Sequence, residues 1–167
     1  MKTITQPFNF IFSKLMLIHL KTSSFTAQLI GPLVFKYAPI DRNWNLSTNK
    51  LLDFPNDSVG KKMGEFLKEK KLEPLAKAEY HDVQHILFDF DITFKDEVAL
   101  QYFLYGNGIR NIASVLTFIS GWLVLPFHWK YLKASYNRGK YYKRISEIDL
   151  KTILNENLNH TKSILLK

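Results

Sequence analysis

Ser58-Val59-Gly60-Lys61-Lys62-Met63-Gly64-Glu65-Phe66-Leu67 decides the fold class. Its apolar residues Val59, Met63, Phe66 and Leu67 recur at i, i+4, i+7 and i+8, the spacing of one face of an α-helix. The lysines at 61, 62, 68, 70 and 71 fall largely off that face and read as a solvated side. Phe54-Pro55-Asn56-Asp57-Ser58 just upstream looks like a helix start, with Asp57 or Ser58 as N-cap.

Working downstream, Pro74 is placed to open a second helix that runs to about Phe88, because proline suits a first helical turn. Asp89 to Ile92 reads as a break. Thr93, with Asp96 three residues on, resembles a capping box. A third helix follows to Tyr105, and Gly106-Asn107-Gly108 is expected to stop it. Residues 111–129 carry no charged side chain, a borderline length for crossing a bilayer. Ser114, Thr117, Ser120 and Gly121 dilute this run, and Pro126 should end it. We read it as a central buried helix, the alternative being a segment that dips into lipid or lines a lipid tunnel.

Upstream, residues 39–49 are polar around Trp44 and read as a loop, and Gly31-Pro32 as a turn. The first forty residues are apolar in patches, with no small-residue cleavage pattern and no early arginine. They are expected to form an amphipathic helix packed on the domain, rather than a secretory or transit signal, the alternative being a helix lying on a membrane surface with Lys14 and Lys21 near headgroups. Strand-like alternation is scarce. The sequence therefore predicts an all-α, single-domain helical bundle of about six or seven helices over residues 1–167.

The chain has 167 residues, 23 Lys+Arg and 15 Asp+Glu, for a net charge of +8. Its 46% hydrophobic content excludes an extended disordered chain. The absence of cysteine excludes disulfide scaffolds, thiolate metal sites and cysteine nucleophiles. Charge is segregated. Residues 41–97 carry nine bases and twelve acids, whereas 98–146 carry seven bases and no acid. The bases of 130–144 are interleaved with Tyr131, Tyr136, Tyr141 and Tyr142. That mixture suits a membrane interface, where tyrosines sit at headgroup level. No recognised nucleic-acid motif accompanies it, so an anionic lipid surface is preferred, ahead of a plain solvated face and then nucleic acid.

Chemistry concentrates in Glu79-Tyr80-His81-Asp82-Val83-Gln84-His85. On a helix, His85 falls about 40° and Asp82 about 100° from His81, so the three side chains share one arc. Two imidazoles one turn apart can bind one metal ion. Glu97, with eleven residues between it and His85, lies near the start of the next helix, where the break at 89–92 lets it turn back. Glu79, Asp89 and Asp91 are rival carboxylates, and spacing alone does not choose among them. Two histidines with one or two carboxylates suit zinc, or iron with open positions. His19, His128 and His160 have no comparable partners; His128, between Phe127 and Trp129, reads as an interfacial or core residue. A His-Asp phosphohydrolase would need further distant histidine and aspartate ligands, and histidines outside 81–85 are scarce.

His-Asp-x-x-His, eleven residues, then Glu resembles the hallmark of the ubiquinone (coenzyme Q) biosynthesis family, specifically the Coq-four proteins. Here it reads His81, Asp82, His85 and Glu97. Gly64-Glu65-Phe66-Leu67 upstream, Glu97-Val98-Ala99-Leu100 downstream and Tyr136-Asn137-Arg138-Gly139 later are similar to that family, over about 55–160. The resemblance implies a helical protein on the cytoplasmic face of the membrane, peripheral to it. His81, Asp82, His85 and Glu97 would be both metal ligands and catalytic residues. The ligand would be an isoprenoid lipid or prenylated quinone precursor, partly enclosed by the apolar run. The partners would be other quinone-biosynthesis proteins, with self-association as a further expectation. The implied reaction is oxidative decarboxylation and hydroxylation at C1 of a prenylated ring. The alternative is a non-catalytic, lipid-binding scaffold for a quinone-biosynthesis complex.

Overall fold

The structure, a computed structural model, describes residues 44–74 and 79–167. The expected N-terminal helix, the turn at Gly31-Pro32 and the first residues after Pro74 lie outside the described residues. Within them, seven α-helices follow in order: α1 (Thr48–Leu52), α2 (Val59–Lys70), α3 (Glu79–Phe88), α4 (Phe94–Asn107), α5 (Ile112–Val124), α6 (Trp129–Lys140) and α7 (Leu158–Leu165). Single 3-10 turns occupy Pro126–His128 and Ile145–Glu147. Extended pairing among the described residues is limited to two isolated bridges, Ser58 with Asn157 and Tyr142 with Leu166. The all-α expectation holds.

Local signals act largely as read. Ser58, not Asp57, caps α2, its hydroxyl accepting from the Lys61 amide. Orphan donors of that first turn are satisfied by the C-terminal stretch: the Val59 and Gly60 amides donate to the Glu156 and Leu154 carbonyls at 2.9 and 2.8 Å. Val59, Met63 and Leu67 are buried, as their spacing requires. One helix was not anticipated. Residues 39–49 are not loop throughout, because Ser47 caps the single turn and a half of α1 and its side chain accepts from Lys50. So short a helix has no periodicity to detect.

The central helix is α4, not the uncharged run. Val98, Ala99, Leu100, Tyr102, Phe103 and Leu104 are all buried, so α4 is apolar around most of its circumference, as a core helix must be. Its stop is Gly108 alone, at φ +104°. Gly106 lies inside the helix for a different reason: a Cβ there would sit 2.0 Å from the Tyr136 carbonyl oxygen. Reciprocally, a Cβ on Gly139 of α6 would sit 2.1 Å from the Phe103 carbonyl oxygen. The two glycines let α4 and α6 touch backbone to backbone. Asn107 locks the same end. Its side-chain amide donates to the Gly139, Tyr142 and Lys143 carbonyls, and its oxygen accepts from the Ile145 amide.

The run 111–129 breaks where Pro126 demands, but α5 is not buried. Its inner side packs on α4, with Phe118 stacked on Tyr105 at 4.0 Å and the Tyr102 hydroxyl donating to the Phe118 carbonyl. Its outer side exposes Ile112, Leu116, Ile119, Trp122 and Leu123, continued past the turn by Phe127 and Trp129. Hydrophobicity without charge told the composition of the helix but not its neighbours. His128 is likewise exposed and is no core residue. No described helix is long and apolar enough to cross a membrane.

Candidate metal centre

Three donors converge where α3 meets the first turn of α4. Nε2 of His81 lies 2.9 Å from Oε2 of Glu97, and Nε2 of His85 lies 3.3 Å from Oε1 of the same carboxylate. The two Nε2 atoms are 3.0 Å apart, with the rings nearly perpendicular at 87°. Three atoms whose lone pairs face a common point repel one another unless a proton or a cation lies between them. All of them fall within 4.8 Å of one another, the only such His/Asp/Glu grouping of its kind among the described residues.

The local chain explains the convergence. Helix α3 ends with Asp89 in the left-handed region at φ 53°, a conformation aspartate tolerates better than most residues. The Phe90 amide then donates to the His85 carbonyl at 3.1 Å, a Schellman-type closure. This turn brings the Phe90 carbonyl back to within 3.1 Å of His85 Nδ1. With Nδ1–H donated to that carbonyl, the His85 lone pair is on Nε2 and aimed at the centre, the arrangement typical of metal-bound histidines. Phe66 of α2 stacks on the same ring at 6.1 Å. The sequence held no side-chain signal for the carbonyl of Phe90. Phe66 was visible only as part of an apolar face.

His85 is 1% exposed, whereas His81 and Glu97 are 34% and 38% exposed. The centre is thus anchored inside and open to solvent along one side. Burial pushes the Glu97 carboxyl up, but the bonds and charges of His81 and His85 outweigh it and hold it down at about 2. Burial lowers His85, yet the bond to Glu97 and the Glu97 charge leave it raised overall. Glu97 is thus an ionised carboxylate paired with the imidazoles at the centre.

Asp82 does not join the three converging atoms. It is half-buried next to His81, and burial pushes its carboxyl up to about 6 against the lowering effect of the two histidines. The rivals are engaged elsewhere. Asp91 pairs with Lys70 at 2.8 Å and Asp89 with Lys162. Glu79 is buried, one oxygen accepting from the Trp44 amide at 3.0 Å. Glu97 is the carboxylate that turns in.

The antiparallel course of α4 and α5 brings the end of α5 back toward this centre. The exposed apolar edge ends at Phe127 and Trp129, two residues before Tyr131, whose hydroxyl donates to Asp96 next to Glu97. Burial, then the Asp96 carboxylate, pushes the Tyr131 phenol up to about 12, so it remains a donor. Not all of the basic segment faces outward. Arg138 sits 4.5 Å over the Phe90 ring and 5.2 Å over Phe103, and donates to the Phe88 carbonyl at the end of α3.

Comparison with known protein families finds no match, and none of the curated proteins matches either. Among solved structures, the chain is similar to a crystal structure of a Nostoc punctiforme PCC 73102 protein assigned by name to ubiquinone biosynthesis. The TM-score is 0.56 and the identity 16%, over 80% of this chain and 73% of that one. At that identity the likeness establishes a shared helical fold.

Proposed function

We propose that this chain is a metal-dependent protein of quinone biosynthesis that acts on a prenylated aromatic acid at the cytoplasmic face of a membrane. The observation that carries the reading is the convergence of His81, His85 and Glu97, at the spacing of the family motif, beside an exposed apolar edge. The helical fold shared with a protein named for ubiquinone biosynthesis supports it.

The residues fit a zinc or iron ion: two neutral imidazole nitrogens and a carboxylate, with His85 oriented from behind by Phe90. Asp82 is the fourth candidate ligand by resemblance. When bound, such an ion supplies Lewis acidity toward a carboxylate or phenolate oxygen. The protein's own contribution is separate. His85 and Phe66 close the inner wall and exclude water there. His81 and Glu97 form the accessible rim, and His85 with Glu97 can hold one proton between them while the centre is metal-free. The outer stripe of α5, continued by Phe127 and Trp129, offers the membrane a surface along which an isoprenoid tail can lie, with Lys130 and Lys133 beside it for anionic headgroups. The reaction proposed is replacement of the ring carboxyl by hydroxyl: one oxygen atom of dioxygen becomes the ring hydroxyl, the carboxyl leaves as carbon dioxide, and the second oxygen atom leaves as water, taking two electrons and two protons from an external two-electron reductant.

The test is product analysis. Metal-loaded protein incubated aerobically with a prenylated hydroxybenzoate and a two-electron reductant should yield the corresponding hydroxylated, decarboxylated ring, and Glu97→Ala should not. The same exposed stripe favours a second reading, a non-catalytic lipid-binding scaffold for other quinone-biosynthesis proteins. Under it, Glu97→Ala restores pathway flux as well as the wild-type chain does. Loss of flux with folding and partner binding intact rejects scaffolding alone.

A further inference from the structure

We propose that Asp96 and Tyr131 are positioning residues for the metal centre, holding the first turn of α4 so that Glu97 faces both histidines. The proposal rests on the metal reading above and deepens it.

Asp96 and Glu97 are consecutive, so on a helix their side chains diverge by about 100°. Glu97 turns toward α3, and Asp96 turns the other way, toward α6. Asp96 is 9% exposed, yet both of its oxygens are satisfied. Oδ2 accepts from the Thr93 hydroxyl at 2.7 Å and Oδ1 from the Tyr131 hydroxyl at 2.7 Å. Thr93 in turn caps the helix, its oxygen accepting from the Asp96 amide at 3.2 Å. In an ordinary capping box the acidic side chain reaches back to the cap residue's backbone amide. Here one carboxylate instead closes a ring with the cap hydroxyl and spends its second oxygen on a neighbouring helix.

The consequence is rotational. Turning the first turn of α4 about its axis is the motion that swings Glu97 away from His81 and His85. That motion breaks the bond from Tyr131 to Asp96. Glu97 needs such a hold, because the ion pairs of its carboxylate among the described residues are with the two histidines and the side chain is 38% exposed. The bond is not required merely to keep the helices together. The glycine contact of Gly106 and Gly139, and the four bonds of Asn107, already join α4 to α6 and its following loop at the far end. Tyr131 therefore acts on the orientation of one turn, the turn that carries the ligand. Lys95, 4.9 Å over the Tyr131 ring and 3.8 Å from Asp96 Oδ1, closes the outer side of the same contact.

The test uses the full chain with zinc as the probe. Relative to wild type, Tyr131→Phe should raise the zinc Kd by up to about tenfold and Asp96→Ala by more, with the roughly hundredfold loss of a ligand's own hydrogen-bond partner as the upper bound. Asp96→Asn, which keeps an acceptor for the tyrosine hydroxyl, should recover part of the loss. A second arm needs no metal: at one fixed pH, the 15N shift of His81 Nε2 should move in zinc-free Tyr131→Phe, because Glu97 has moved. Wild-type zinc affinity in Tyr131→Phe together with an unmoved His81 signal overturns the proposal. So does a loss of affinity that merely tracks a loss of thermal stability, with no recovery in Asp96→Asn. If wild-type protein takes up no zinc, the metal reading fails, and the His81 signal alone decides positioning. Should Asp96→Ala not fold, Tyr131→Phe carries both arms.

Discussion

Nε2 of His85 and Nε2 of His81 stand 3.0 Å apart, closer than two unprotonated ring nitrogens tolerate without something shared between them. A proton on Nε2 of His85, within 3.3 Å of the Glu97 carboxylate, would meet that requirement without metal. A metal ion would replace it.

This exchange gives the centre an opposing pH dependence with and without metal. Without metal, the lowered Glu97 contributes stability that is present above 4.5 and lost as the pH falls through about 2. The raised His85 contributes stability that is complete below 6.5 and lost as the pH rises through its folded value. Zinc must displace the His85 proton, so its stabilisation runs the other way. Melting curves should show almost no zinc-induced shift at about pH 5 and a clear upward shift at about pH 8. Equal shifts at both would contradict the assignment.

The α4–α6 contact leaves no room for a methyl group. Gly106→Ala or Gly139→Ala drives a Cβ into a carbonyl oxygen of the facing helix. Each should cost about 1–3 kcal/mol or more, the usual penalty of overpacking, seen as a lower midpoint in urea. Gly108→Ala meets no neighbour but holds a left-handed φ, so it should cost only about 1 kcal/mol.

Asn107 supplies donors to three carbonyls and an acceptor to one amide from a buried position. Asn107→Asp replaces those donors with an anion facing carbonyl oxygens. It should destabilise by more than about 2 kcal/mol near neutral pH and recover part of that loss on acidification. A pH-independent penalty would place the cause elsewhere.

The outer stripe of α5 should be dispensable for folding and needed for lipid. Ile119→Gln with Leu123→Gln alters residues 63% and 68% exposed, so the melting temperature should barely change. Binding to vesicles containing anionic lipid should weaken at least about tenfold, from the lost burial of two aliphatic side chains. Unchanged vesicle binding removes the membrane reading. A wild-type dimer that the double variant converts to monomer assigns the stripe to self-association instead.

What the sequence disclosed follows from how local each signal is. The Val59–Leu67 face, the Ser58 and Thr93 caps, the Gly108 stop and the Pro126 break each depend on a few neighbouring residues, and each appears in the fold. His81, His85 and Glu97 were legible because a helical period and one short turn bring them together. Asp82 shares their arc on α3, but an arc does not fix the side-chain direction, and its carboxyl stays apart from the other three. The uncharged run misled because the outer side chains of α5, from Ile112 to Leu123, are exposed rather than buried. Gly106 and Gly139 were illegible as a pair, since only tertiary contact sets them against each other.

The most direct test is the metal content of wild-type protein prepared without chelator, beside His81→Ala/His85→Ala. About one equivalent of zinc or iron per chain is expected in the wild type, and none in the double variant, with both proteins folded. A folded wild-type chain that carries no such ion, and takes up neither when offered, would contradict the account.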